Sequence, residues 1–487
     1  MNYYCPSLTM LAISVSQMIY LAIYIVYFLL IFACICVVVK ENRNPIRSIA
    51  WIIALIFLPF AGFIFYLFFG RGLKGMHVIS KHNKRSVLKS RKPERIDLSK
   101  LQLSPMSAQL VKLADTLSGY PLSVNNDMEI FTTGCDKFNR LKEDLLHAEK
   151  SIYLQYYIFS DDSLGQEIAD ILVAKAKEGL DVKVIYDHVG SFSARSRFFQ
   201  HMREGGVEVH PFFRVTFPQL ANRINWRNHR KIVVIDSNVA YIGGMNIAER
   251  YVKGMDDGAV WRDTHFRVTG DIVNSLLYSF GIDWNFMNPK PSGIALNDMQ
   301  IEKSNNLGLQ LVTCGPDTDW DNLSLCYLNA ISNAKKSIFI QTPYFLPTDA
   351  LLHALEAAAL SKVDVRVMIP GKSDSRMLQL ATYSYVTQCL RAGIKVYAYT
   401  PGMIHAKTMT VDNDFATAGS TNFDFRSFEN NFECNLLIYN AEINEKMRDI
   451  FFEDLKHCHK LTLSEWRKRP ALQRGLESIV RLFAPIL

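Results

Sequence analysis

No CxxC spacing occurs in the 487 residues, and the nine cysteines are odd in number. Spacing and count together argue against a zinc site or a disulfide framework. Reduced structural thiols fit a cytoplasmic domain. Positive charge is scarce where nucleic acid would need it. The whole chain is +7, residues 1–70 contribute +2 and residues 71–100 contribute +8, so the remaining 387 residues sum to −3. A basic nucleic-acid-binding body is therefore not supported. Charge of either sign is missing from residues 10–39, and again from 48–70, SIAWIIALIFLPFAGFIFYLFFG. Each run exceeds the roughly 20 residues needed to cross a bilayer core. Lys and Arg are also missing from MNYYCPSLT, and the first run is too long for a signal-peptide core. Two transmembrane helices, about 10–39 and 48–70, are expected to form a hairpin.

The basic residues that are present have a position. Ten Lys or Arg and two acids, Glu94 and Asp97, fall within 71–100, just after the second apolar run. Such an excess marks the cytoplasmic side, so the bulk of the chain is expected there, on a multi-pass protein. The cluster also suits anionic lipid headgroups. Residues 71–124 read as a basic juxtamembrane segment and linker.

The rest repeats itself. AEKSIYLQYYIFSDDSLGQEIADILVAKAKEGLDVKVIYD (148–187) is matched by AKKSIFIQTPYFLPTDALLHALEAAALSKVDVRVMIP (334–370). Each has a β-rich run, a polar turn, a helical stretch and a further strand. The expected fold is α/β: two similar lobes, 125–298 and 299–460, each with a largely parallel sheet. A second pair of segments sharpens the repeat. NHRKIVVIDSNVAYIGGMN (228–246) and IHAKTMTVDNDFATAGSTN (404–422) share His, Lys, Asp, Gly and Asn at the same offsets and little else. The skeletons are His229-x-Lys231-x4-Asp236-x6-Gly243-Gly244-x-Asn246 and His405-x-Lys407-x4-Asp412-x6-Gly419-Ser420-x-Asn422. His and Lys two apart on a strand share one face, setting an imidazole beside a cation. Five fixed offsets recur by chance roughly once in 20⁵ starts, so the double occurrence is strong.

This paired HxKxxxxD pattern resembles the signature of the phospholipase D superfamily. The resemblance implies that the two lobes meet face to face and build one site from both motifs. It also implies the chemistry. One imidazole attacks phosphorus and forms a phosphohistidine, and the other protonates the leaving alkoxide and deprotonates the incoming hydroxyl. Lys231 and Lys407, with Asn246, Ser420 and Asn422, are then expected to hold phosphate oxygens. No metal or other cofactor is expected, because cationic side chains carry the charge. His229 is the expected nucleophile and His405 the acid. Asp236 and Asp412 belong to the motif but are expected to brace it. An attacking imidazole needs its second nitrogen held by an acceptor. Related enzymes suggest Glu433 for His405 and Asp263 for His229. His188 and His265 have no matching Lys and are discounted.

Several longer stretches resemble bacterial cardiolipin synthases of that superfamily. These are AWIIALIFLPFAGFIFYLFFGR, WRDTHFRVTGDIVNSLLYSFGIDW (261–284), IQTPYFLPTDALLHAL (340–355) and the tail LTLSEWRKRPALQRGLESIVRLFAPIL. The implied reaction takes a phosphatidyl group from one phosphatidylglycerol to another, releasing glycerol and giving cardiolipin in a bacterial membrane. One departure is Gly244, where the family's GSxN more often has Ser; a missing hydroxyl would remove one hydrogen bond to phosphate. A membrane phospholipase that uses water as acceptor has the same motifs. A nuclease is disfavoured by the apolar runs and near-neutral body, and a non-catalytic membrane scaffold by the intact His and Lys pairs. In the tail (461–487), Leu472, Leu476, Ile479, Val480 and Phe483 recur at helical spacing, with Arg474 and Arg481 among them. That pattern suits an interfacial helix lying on lipid, or one packed on the body. FFRVTFPQL (212–220) suits a lipid entrance or a buried strand.

Overall fold

The computed structural model describes residues 15–40, 45–58, 60–66, 103–214, 226–255, 257–287 and 306–487. The basic cluster 71–100 and most of FFRVTFPQL lie outside the described residues. The chain forms two compact units, 1–72 and 73–487.

In the first unit the helix Val15–Lys40 contains, at Ser16–Lys40, the one described helix long and apolar enough to cross a membrane. The expected second span is instead two pieces, Pro45–Phe57 and Ala61–Phe65. The first piece ends at Phe57 and the second begins at Ala61, after Phe60 at φ 61°. Thirteen residues rise only about 20 Å, short of the ~30 Å hydrocarbon core. Ile31, Cys34 and Val38 pack with Leu55 and Tyr66, joining the pieces.

The second unit is built on a sheet of 15 strands. Two equivalent sets of six lie on either side of a central antiparallel pair, Ser123–Phe131 with Asn306–Cys314. Outward from that pair, the first set runs through His265–Gly270, Val239–Gly243, Ile232–Ile235, Ser151–Tyr156, Asp181–Asp187 and Glu208–Phe212. The second set repeats the order with Glu433–Tyr439, Phe415–Gly419, Thr408–Val411, Ser337–Gln341, Asp364–Pro370 and Lys395–Tyr399. Cys458–Lys460 adds a last edge strand. Each set holds three parallel strands joined through helices such as Ser163–Lys177 and Asp349–Leu360. The α/β expectation thus holds, with one difference: the motif hairpins pair antiparallel, so the sheet is mixed. One apolar cluster crosses the central junction, joining Phe266, Val268 and Phe280 to Leu309, Leu311, Leu436 and Ile438. The lobes are thereby fused through a shared core.

Part of the expected linker is not a linker. Pro105–Ser118 is a helix, capped by the Ser104 hydroxyl accepting from Ser107 N. Its Leu110, Val111 and Ala114, spaced three to four apart, enter the core of the second lobe. Phe212 and Phe213, offered as a lipid entrance, are buried against Phe432 and Phe286. At the other end, the helices Leu463–Arg467 and Ala471–Arg481 close the chain.

Candidate active site

Each motif enters the same local structure. His and Lys lie at the mouth of a hairpin strand, and the motif aspartate sits at its turn, with φ 52° for Asp236 and 50° for Asp412. Asp236 accepts backbone N–H groups of Glu149, Lys150 and Ser151 at 2.7–2.8 Å. Asp412 does the same for Lys335, Lys336 and Ser337 at 2.7–2.9 Å. Both acids pin the far end of the strand, so neither is in the reacting site.

The lobes exchange backbone contacts at the other end. Asn228 bridges Phe432, and His229 N donates to Phe432 O at 2.9 Å. In the pseudo-equivalent place, Ile404 pairs with Arg262 and His405 N donates to Arg262 O at 2.6 Å. One residue beyond each pairing stands a histidine facing an acid. His229 Nδ1 lies 3.0 Å from Glu433 Oε2, and His405 Nδ1 lies 2.6 Å from Asp263 Oδ2. The expected pairing is therefore reversed: Glu433 serves His229 and Asp263 serves His405. The reason is geometric. Within its own lobe Glu433 begins a strand two places from the strand after His405, about 10 Å away. The other lobe's histidine is in the adjacent register.

The acids are sealed, at 0% exposure, while His229 and His405 keep 8% and 7%, so the imidazoles and not the acids show an edge outward. Nδ1 is committed to an acid on both rings, which leaves Nε2 as the nitrogen that no acid holds. Lys231 Nζ donates to His229 O at 2.5 Å, and Lys407 Nζ to His405 O. Lys407 also lies 2.6 Å from His405 Nδ1 and 3.6 Å from Asp263. Charges of the two motifs act on each other: Lys407 depresses the His229 imidazole and the Lys231 ammonium. One electrostatic site spans both lobes.

Burial dominates the titration of this site. It pushes His405 down to about 4, with Lys407 adding to the effect, and Lys231 down to about 7. His229 is lowered by burial against the pull of Glu433. Burial would raise both acids, but Lys407 and His405 hold Asp263 below its ordinary value, and His229 and Lys231 do so for Glu433. Both imidazoles are neutral at pH 7 and the acids ionised.

Residues expected to hold phosphate behave differently. Ser420 Oγ donates to Glu433 Oε2 at 2.5 Å and accepts from Cys434 N at 3.0 Å, so it supports the acid. Asn246 accepts from Ile158 N at 3.1 Å and donates to the Tyr251 hydroxyl at 3.0 Å. Asn422 is buried, with an Oδ1 that has no partner among the described residues. Gly244 does not mark a lost phosphate contact. A Cβ there would lie 2.1 Å from Asp263 Oδ1, so the glycine makes room for the acid. His265, discounted from the sequence, is buried beside Gly243 with neither ring nitrogen hydrogen-bonded among the described residues.

Sequence reasoning missed the aromatic walls and a buried brace. Tyr157 meets His229 edge-on at 4.8 Å, Trp261 lies 5.3 Å from His405, and the Tyr251 hydroxyl is 3.5 Å from His405 Nδ1. Asp283 accepts two bonds from Arg230 Nη1 at 2.8 and 2.9 Å and one from Gln155 at 2.6 Å. Asp454 holds Arg262 at 2.7 Å and Gln341 at 2.8 Å. The signal was present: LQYY and IQTP align Gln155 with Gln341 in the repeat. Among the described residues, no group of three His, Cys, Asp or Glu side chains is arranged for a metal ion.

Two like lobes that exchange acids around two His–Lys pairs define the phospholipase D class. A family model described as "Cardiolipin synthase, PLD-like domain" matches residues 141–276 and 327–455, and one described as "Phospholipase_D-nuclease N-terminal" matches 28–71. The chain is 39% identical to the "Major cardiolipin synthase ClsA" of Bacillus subtilis over 471 residues, 95% of this chain and 98% of that one. It is 37% identical to a cardiolipin synthase of Listeria monocytogenes over 478 residues, 96% and 99% of the two chains. A phosphatidylserine synthase from Haemophilus influenzae shares the fold, with TM-score 0.59, 16% identity and coverage of 78% of this chain and 100% of that one. The chain belongs to the cardiolipin synthase family of the phospholipase D superfamily, and it is a phosphatidyltransferase that makes cardiolipin. It acts on phospholipids and is membrane-associated.

Proposed function

We propose that donor and acceptor are both phosphatidylglycerol and that the phosphatidyl group rides on His229. Binding of the anionic phosphodiester brings one proton onto His405 Nε2; Nε2 of His229 then attacks phosphorus, the P–O bond to glycerol breaks, and His405 gives that proton to the glycerol oxygen. The terminal hydroxyl of a second phosphatidylglycerol then attacks, its proton returns to His405, the P–N bond breaks and cardiolipin leaves. Phosphodiester is exchanged for phosphodiester, so no nucleotide enters the balance. Lys231 and Lys407 offset charge on the phosphoryl oxygens, and Glu433 and Asp263 hold the rings. Asn246, Ser420 and Asn422 act as positioning residues in this reading. The observation that carries it is the pair of buried acids crossing between lobes, which gives two oriented imidazoles with different surroundings. In the same reading both apolar runs lie in a bacterial cytoplasmic membrane, and residues 71–100 put the catalytic unit on the cytoplasmic side.

Purified protein given labelled phosphatidylglycerol tests the chemistry. Cardiolipin and glycerol are expected in equal amounts; phosphatidic acid alone would instead mean hydrolysis. His405→Ala should retain a trappable phosphoenzyme, and His229→Ala should give none. The opposite pattern reverses the two histidines.

A further inference from the structure

The catalytic unit carries an apolar stripe that its own core leaves uncovered. On the helix Ala471–Arg481, Leu472, Leu476 and Ile479 are exposed, and the stripe continues through Leu482 and Phe483. Leu472 and Leu482 are 77% and 78% exposed, among the highest values for large apolar side chains here. Steps of three and four residues put them on one helix face.

The inward side of this helix reverses the usual order. Its buried residue is an acid: Glu477 is 3% exposed and accepts from Arg469 Nη1 at 2.5 Å and Gln473 Nε2 at 3.1 Å. Arg481 lies over the Tyr385 ring at 4.3 Å and donates to Gln388 at 3.1 Å. Glu477 thus pairs within the tail, Arg481 joins the helix to Arg376–Ala392 and Val480 packs on the core of the second lobe, while Leu472, Leu476 and Ile479 stay exposed. A helix meant only to cap a soluble body would bury that face.

Charge indicates what covers it. Residues 461–487 carry five Lys or Arg and two acids, a net of +3, whereas residues 101–460 sum to −6. Arg467, Lys468 and Arg474 are exposed beside the stripe. Apolar side chains flanked by cations match an anionic phospholipid surface. The supporting helix also reaches the site. It begins just after Asp374, which accepts from the Tyr344 hydroxyl at 2.8 Å and whose charge acts on His405.

We propose that the tail helix lies in the headgroup region of an anionic bilayer, its five apolar side chains among the acyl chains and its exposed basic residues on lipid phosphates. This rests on the reading that the substrates are membrane phospholipids, and it gives the catalytic unit a lipid contact of its own. The direct test places the photo-cross-linker p-benzoylphenylalanine in the full chain, at Leu476 or, as a control, at Glu445, an exposed residue of the helix Ala441–Leu455. After irradiation in vesicles of phosphatidylglycerol, a lipid adduct is expected from position 476 and not from 445. Cross-linking of 476 to protein, or equal adducts at both positions, overturns the proposal. In parallel, Leu476→Glu with Ile479→Glu should slow cardiolipin formation in vesicles about tenfold while leaving turnover of dispersed short-chain phosphatidylglycerol unchanged. No loss, or equal loss in both assays, also overturns it. A wild-type chain that makes no cardiolipin from phosphatidylglycerol would sink the substrate assignment alone, because the adduct is read without turnover.

Discussion

Gly244→Ala should disarm one histidine and spare the other. The added Cβ would sit 2.1 Å from Asp263 Oδ1 and 2.7 Å from Oδ2 and Cγ. Ordinary contact starts at 3.4 Å, so the carboxylate must withdraw by roughly 1 Å. Its bond to His405 Nδ1, now 2.6 Å, then stretches to the edge of hydrogen bonding. A hydrogen bond to a charged group is worth about 1.5–3 kcal/mol, so the rate should fall about 10- to 100-fold. Crowding should also cost about 1–3 kcal/mol of stability, read separately by thermal unfolding. The assay compares two donors. Glycerol leaves as an alkoxide and needs the His405 proton; p-nitrophenol does not. With phosphatidyl-p-nitrophenol, Gly244→Ala should show a nitrophenolate burst at the wild-type rate and then slow turnover, because His405 cannot deprotonate the acceptor. With phosphatidylglycerol the first step itself should be slow. Unchanged glycerol release by a folded Gly244→Ala protein would refute the reasoning, and so would a missing burst.

Ser420→Ala should cost less, about tenfold, because Glu433 keeps His229 at 3.0 Å and Asn431 at 3.2 Å; a loss matching Gly244→Ala would contradict this. Since His405 sits near 4, below the ordinary 6.5, the free enzyme holds it neutral at pH 7. An anionic phosphodiester raises it, so binding a non-reactive analogue at pH 7 should take up about one proton and weaken as pH rises, measured calorimetrically in buffers of different ionisation enthalpy. The same depression makes this histidine's contribution to stability shrink as pH falls from 6.5 toward 4, where the unfolded chain binds the proton first. Asp236→Ala should lower stability by about 2 kcal/mol because three backbone N–H groups lose their acceptor, yet leave kcat of the folded protein within about tenfold. Arg230→Met strands the fully buried Asp283 and should cost about 3–5 kcal/mol in chemical denaturation, with Asp283→Leu restoring much of it; no recovery would mean that the pair does more than cancel charge.

The repeat made the two lobes legible, because strand and helix patterns recur with the same polar skeleton. It also led to both His–Lys pairs and to both acids. The acid pairing was not legible: proximity in sequence favours Glu433 for His405, and only the short bridges Asn228–Phe432 and Ile404–Arg262 set the crossed register. Ser420 and Gly244 were misread for a related reason. A hydroxyl near a phosphate site looks like a ligand, but its partner is fixed by a carboxylate two strands away in the chain's order. The second apolar run counts enough residues to cross a bilayer, whereas composition does not register that its first helix ends at Phe57.

The crossed acids also bear on how the molecule is made. A ribosome completes His229 204 residues before Glu433, the side chain that orients it. Until Glu433 and its strand join the sheet, the first motif holds an imidazole without the carboxylate that faces it in the finished fold, and on the proposed mechanism neither half of the chain should turn over phospholipid. A nascent or truncated product can therefore sit beside a membrane of phosphodiesters without cutting them. Activity arrives only with the finished fold.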